Sequence, residues 1–276
     1  MKFSQRIGLT PVKVNMQIES MDSDLRVSLW NVLQLEYFDK RNTDILHSSN
    51  FKLIVNLLWH VYFKSPLDTM PSSFYKFYDK MRKYLFSCQW YEFYDFVEFI
   101  ISNDIPPGVN KERLCELLNV TLETEMSGYR IIDSRIVPIT GKAEVDEIEE
   151  AINDADSNKY KGVAIHLKTA LEKLSDRKRP DYRNSIKESI SAVESLAIII
   201  SGDRKSDIDK ALKVLKGKIG LHPALQKAFN ALYGYTSDSD GIRHAILDCP
   251  SIDFEDAKYM LVVCSAFVNY LISKLK

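Results

Sequence analysis

Apolar residues recur along this chain at steps of three and four, the period of an amphipathic α-helix, and one stretch departs from that rhythm. Near the start, SDLRVSLWNVLQLEYF carries Leu25, Leu29, Val32, Leu33 and Leu35 at helical spacing, with Ser23 or Asp24 placed as N-cap. Between Trp59 and Phe99 aromatic residues dominate. Phe74, Phe77, Tyr78, Met81 and Tyr84, then Trp90, Phe93, Tyr94 and Val97, repeat at helical steps. Pro106, Pro107 and Gly108 break the pattern before a further helix, KERLCELLNVTLETE. The exception is GYRIIDSRIVPITG, Gly128 to Gly141. It is rich in Ile and Val and too short for a helix between its breakers, so it predicts a strand or small hairpin.

The second half returns to helices with legible ends. An acidic one, AEVDEIEEAINDA, sets Val145, Ile148, Ala151 and Ile152 on one side. Next come Val163, Leu167, Ala170, Leu171 and Leu174, and then Ile186, Ile190, Val193, Ala197 and Ile200, with Pro180 near the start and Gly202 as the stop. The last helix begins at Asp253. One stripe runs Ala257, Leu261, Cys264, Val268, Leu271, Leu275, and a second runs Met260, Val263, Phe267, Tyr270. A helix apolar on two sides belongs in the middle of a bundle, and at 1.5 Å per residue it reaches about 33 Å. These patterns predict an all-α chain with a minor β-hairpin near 128–140. They divide it into an N-terminal helical domain over 1–125, a joint over 126–158 and a helical bundle over 159–276.

Composition supports a folded chain: of 276 residues, 45% are hydrophobic and 27% charged. The opening MKFSQRIGLTPVKV lacks the apolar run of a signal peptide. YMLVVCSAFVNYLI is the longest apolar stretch, but it contains Asn269 and falls short of the roughly 20 residues a membrane span needs. A cytoplasmic protein with no membrane association is the expectation. Cys88, Cys115, Cys249 and Cys264 are scattered with no C-x-x-C pair, so neither a disulfide framework nor a metal or other cofactor is predicted.

The formal net charge of −1 hides a division. Residues 1–125 hold 14 Lys+Arg against 16 Asp+Glu, 126–158 hold 3 against 8, and 159–276 hold 20 against 14. Basic density after residue 158 attracts a polyanion such as RNA or DNA; a solvated Lys-rich helix face accounts for the same count. The aromatics of 59–99, interleaved with Lys76, Lys80, Arg82 and Lys83, allow a similar choice between a platform for single-stranded nucleic acid and a packed core. Core packing is the cheaper explanation.

Three longer stretches, DYRNSIKESISAVESL, LYGYTSDSDGIRHA and DAKYMLVVCSAFVNYL, resemble the C-terminal helical region of bacterial AbiJ-type proteins. The opening FSQRIGLTPVKVNMQIESMDSDLRVSLWNVL resembles the fourth type of N-terminal domain that precedes that region. The resemblance implies abortive infection, the arrest or death of a phage-infected cell, with a phage trigger as one partner. It also implies a C-terminal HEPN-like antiparallel helical bundle, homodimeric through that bundle. Many such domains are metal-independent endoribonucleases whose motif pairs an Arg with a His several residues later. Here the motif is degenerate. Arg243 is in place, but His244 follows it directly, and Asp248, Cys249 and Pro250 occupy the positions where the motif's His falls.

Cleavage of RNA through its 2′-hydroxyl needs a proton acceptor, a proton donor and a group to hold the phosphate. His244 is the candidate base, Arg243 the phosphate fork, and Asp240 the opener of a short helix that favours an anion. Adjacent helical residues diverge by about 100°, so one protomer does not aim both at a single point, whereas a two-fold dimer offers each His to the partner's Arg. Arg183, Asn184, Lys187 and Glu188 on the preceding long helix are candidates to complete the cleft. Two further readings stay open: a HEPN module that binds RNA or protein without cutting, and a dimerisation scaffold in which Arg243 pairs with Asp240, Asp238 or Glu188. His166 reads as a packing residue, and His222, before Pro223, as a helix cap.

Overall fold

The computed structural model describes residues 3–7, 9, 16–103, 105–156, 159–176, 179–202, 208–237 and 252–275. It is mostly all-α, with one short two-stranded antiparallel hairpin, and it divides into two compact units, Met1–Thr140 and Gly141–Lys276.

In the first unit α1 (Phe3–Arg6), α2 (Ser23–Glu36), α3 (Lys52–Leu57), α4 (Phe74–Ser87), α5 (Trp90–Ser102) and α6 (Lys111–Thr124) precede β1 (Arg130–Ile132) and β2 (Arg135–Val137). Helix α2 is capped by Asp22 rather than by Ser23 or Asp24. The backbone of Asp22 is extended, and its carboxylate accepts the Leu25 N–H at 2.9 Å. Leu25, Leu29 and Leu33 are buried as their spacing predicts, but Leu35 sits on the outer face near the helix end and is exposed.

Most of the aromatic residues form the core of this unit. Tyr37, Phe38, Phe51, Trp59, Phe74, Phe77, Phe93 and Phe96 are fully buried. Their rings meet edge to face, as in Tyr37–Phe51 at 5.2 Å and 88° and Phe51–Phe74 at 5.1 Å and 74°. Such pairs add about 0.5–1.5 kcal/mol each beyond their burial. Two of the interleaved cations lie over rings and a third pairs with a carboxylate on the surface. Lys80 Nζ lies 4.4 Å from the Trp59 ring centre, Arg82 lies over Phe86, and Lys83 pairs with Asp79 at 2.7 Å.

The hairpin is built into this core by side chains. Asn119 of α6 acts as a strand edge, donating from Nδ2 to Ile131 O at 2.8 Å and accepting the Ile131 N–H at 2.7 Å. Glu98 of α5 accepts the Ile136 N–H at 2.7 Å. Asp133 and Ser134 both adopt left-handed φ, 48° and 63°, which turns the two strands in the mirror-image sense their twist requires.

The second unit comprises α7 (Lys142–Ala155), α8 (Lys161–Ser175), α9 (Tyr182–Ser201), α10 (Ile208–Ile219), α11 (Pro223–Ser237) and α12 (Phe254–Ser273). Val145, Ile148, Ala151 and Ile152 of α7 are buried on one face. Gly202 ends α9 in the left-handed conformation at φ 81°, and Asp253 and Asp256 form a capping box at the start of α12. Helix α12 packs against α7, α8 and α9, and Phe267 stacks on Phe229 of α11, so its two apolar stripes are both used. Asn269 Nδ2 donates to Glu147 of α7, to the backbone O at 3.0 Å and to Oε2 at 2.9 Å. Among the described residues no helix is long and apolar enough to cross a membrane. Cys88, Cys115 and Cys264 form no disulfide there, and Cys249 lies outside the described residues.

Several buried polar groups break the usual rule, Tyr37 among them. Tyr37 is fully buried, yet its hydroxyl has no hydrogen-bond partner among the described residues, and burial pushes its pKa far up. Leaving such a group unpaired costs about 1–3 kcal/mol. Tyr37→Phe removes the orphan and keeps the ring, so the variant is expected to match or exceed wild-type stability by about 1 kcal/mol in urea denaturation.

Candidate functional site

Small residues let α8 and α9 approach closely: Ala164 and Ala170 on one helix, Ser185, Ser189 and Ala192 on the other, all buried. The helices run antiparallel. Gly162 faces Ser195, His166 faces Glu188, Ala170 accepts from Ser185 Oγ at 2.8 Å, and Lys173 faces Asp181. At Gly162 an added Cβ would lie 3.5 Å from Ser195 Oγ, an ordinary van der Waals contact, so the two helices touch there without crowding.

One edge of this seam is polar. Asp181 caps α9: its carboxylate accepts the Asn184 backbone N–H at 3.1 Å and the Asn184 Nδ2 at 2.7 Å, and Lys173 Nζ lies 3.7 Å away. One turn on, Glu188 Oε2 lies 2.7 Å from His166 Nδ1. Both side chains are partly buried. An ionised carboxylate only accepts, so with Glu188 ionised the imidazole carries its proton on Nδ1, which leaves Nε2 as the acceptor of the neutral ring. A carboxylate-held imidazole of this kind is the arrangement that serves general acid–base chemistry.

The residues expected at this site fall into two rows. Asn184 and Glu188, one turn apart, are brought together with Asp181 and His166 at the seam. Arg183 and Lys187 form the neighbouring row of α9, about 100° around the helix, with Arg183 half-buried and Lys187 exposed. Arg243, His244 and Asp240 lie outside the described residues, as does Asp238. His166 is the functional candidate that residue spacing misses. Its flanks, Val163 and Leu167, read as packing, and the carboxylate that orients it comes from another helix. His222 is a cap, its Nδ1 accepting the Ala224 N–H at 3.1 Å. Among the described residues no cluster of His, Cys, Asp and Glu has metal-ligand geometry.

Residues 1–154 match the family model for AbiJ N-terminal domain 4. The chain belongs to this AbiJ family. No curated protein and no solved structure matches it. The AbiJ match covers every helix of the first unit, the hairpin and α7 almost to its end, which gives the chain an abortive-infection context. The His166–Glu188 edge lies beyond the matched segment of this AbiJ-family chain, in helices that begin at Lys161.

Two measurements probe the seam. A double-mutant cycle with His166→Ala and Glu188→Ala is expected to give a coupling of about 1 kcal/mol, each single change costing about 1–2 kcal/mol. Asp181 is held below its ordinary value of 3.8. Burial by itself raises it, but the Asn184 side-chain and backbone bonds and Lys173 outweigh that. A depressed folded pKa stabilises the fold above the unfolded value, and that gain is lost as pH falls through the folded one. Wild-type stability should therefore drop below about pH 3.8. Asp181→Ala should lose about 1 kcal/mol near neutrality and less at acid pH, as read by denaturant titration at both.

Proposed function

We propose that this chain is an abortive-infection protein whose second unit is a HEPN-like bundle that cleaves RNA without metal. The AbiJ N-terminal domain 4 match over residues 1–154 carries the reading, because it is the observation that ties the chain to defence. The basic excess of residues 159–276 supplies the attraction for RNA. Arg243 holds the phosphate and His244 takes the proton of the 2′-hydroxyl, across a homodimer that pairs each with the partner copy's residue. Arg183 and Lys187 line the approach on α9. The first unit restrains the bundle until a phage trigger releases it, in the cytoplasm.

A second reading, binding of RNA or protein without cutting, is favoured by one observation. Asn184 and Glu188 are engaged within the unit's own framework, by Asp181 and His166, rather than turned to a substrate.

Incubation of purified protein with labelled tRNA and total RNA in EDTA separates the two. Cutting that survives chelation and falls at least about a hundredfold in both Arg243→Ala and His244→Ala supports the nuclease. Binding with no cutting supports the second reading, and sedimentation that gives only a monomer removes the paired site. His166→Gln is the control for a site on the α8–α9 seam: cutting lost there but kept in His244→Ala moves the base to His166.

A further inference from the structure

Cleavage through the 2′-hydroxyl moves two protons. In the reaction proposed above His244 accepts one and Arg243 holds the phosphate, but the departing 5′-oxygen has no donor. An unprotonated alkoxide leaves reluctantly, and a positioned acid speeds such a step by roughly 10²–10⁴-fold. Three histidines follow residue 140: His166, His222 and His244. His222 is spent as a helix cap, its Nδ1 accepting the Ala224 N–H.

The pair at the α8–α9 edge has the features of a donor. His166 Nδ1 lies 2.7 Å from Glu188 Oε2, and among the described residues no other group hydrogen-bonds the ring. The His166 side chain is 35% exposed and that of Glu188 24%, so the pair sits at the edge of the seam and is not sealed inside it. A helical side chain leans toward the N-terminus, which carries the His166 ring over the turn that holds Gly162. Gly162 is exposed and has no side chain to crowd that space. Thr169, on the other side, spends its hydroxyl on Ile165 O at 2.8 Å and does not compete for the ring.

When the ring is protonated, Nδ1–H stays on the carboxylate and the second proton sits on Nε2, the nitrogen without a protein partner. Imidazolium and ionised Glu188 then form a neutral pair. Glu188 also shares two turns of α9 with Arg183 and Lys187, the cations proposed to line the approach of RNA.

We propose that His166 is the proton donor of this reaction, delivering its Nε2 proton to the 5′-oxygen while Glu188 positions the ring through Nδ1. The inference rests on the nuclease reading and adds the role that reading leaves empty. The 2′-oxygen, its proton taken by the base, bonds to phosphorus. The P–O5′ bond breaks, its electron pair goes to the 5′-oxygen, and the Nε2 proton follows. The products are a 2′,3′-cyclic phosphate and a free 5′-hydroxyl, with His166 left neutral and protonated on Nδ1.

The test compares two labelled oligoribonucleotides in EDTA under single-turnover conditions, one all-oxygen and one with sulfur replacing the scissile 5′-oxygen. A thiolate leaves without being protonated, because a thiol is a far stronger acid than an alcohol. His166→Ala is expected to cut the oxygen substrate at least about a hundredfold more slowly than wild type and the sulfur substrate at nearly the wild-type rate. His166→Gln, whose amide still offers Glu188 a donor, should behave the same way and covers a loss of folding in the alanine variant. Glu188→Gln should lose rate on oxygen and regain it on sulfur, whereas His244→Ala should stay slow on both. Wild-type cutting of the oxygen substrate by the His166 variants overturns the proposal and leaves the nuclease reading in place. So does equal slowing on both substrates by a variant that thermal unfolding shows to be folded. No cutting of either substrate by the wild type removes the nuclease reading and this inference with it.

Discussion

The close seam between α8 and α9 is the constraint on which the second unit depends. Alanine and serine along it remove the bulk that would separate the helices. Separation of 8–10 Å is ordinary for packed helices, and small side chains at the contact favour its lower end. Buried hydroxyls along the seam find partners inside the protein, and at its partly exposed edge His166 and Glu188 pair across the helices. Ser185 turns its hydroxyl to Ala170 O, Ser189 turns to Ser185 O, and His166 turns to Glu188. The site candidate is thus a consequence of packing. An imidazole held through Nδ1 results because the neighbouring helix brings a carboxylate within 2.7 Å.

The first unit solves a different problem. It has more rings than one core face needs, and it buries them by folding α4 and α5 against the shorter helices and turns between Tyr37 and Tyr62. Edge-to-face geometry allows many rings to meet without stacking, and the cations among them finish over ring faces or beside carboxylates. Tyr75 and Phe3 are left largely outside.

Family and chemistry rest on different parts of the chain. The AbiJ match ends at residue 154, just inside the last turn of α7, whereas the groups proposed to act on RNA come later. Arg183, Asn184, Lys187 and Glu188 were legible as a cluster because they fall within two turns of one helix. Spacing did not reveal that Asn184 and Glu188 hold the helix to its neighbour while Arg183 and Lys187 occupy the adjoining row. Partners on another helix leave no mark on local periodicity.

Local rules were enough for the helical architecture, the hairpin at β1–β2, the stop at Gly202, the cap at Asp253 and the central position of α12, since each depends on residues a few positions apart. Hydrophobic period also identified the aromatic segment as core, because burial of rings at helical steps is the strongest local drive in it. Tertiary structure decided what depends on groups distant in sequence: Asn119 standing in as a strand edge, Asn269 bonded to Glu147, the Tyr37 hydroxyl buried with no partner among the described residues, and His166 held by Glu188. A one-dimensional pattern records which side of a helix is apolar, but only the packing of helices determines which polar atoms meet across them.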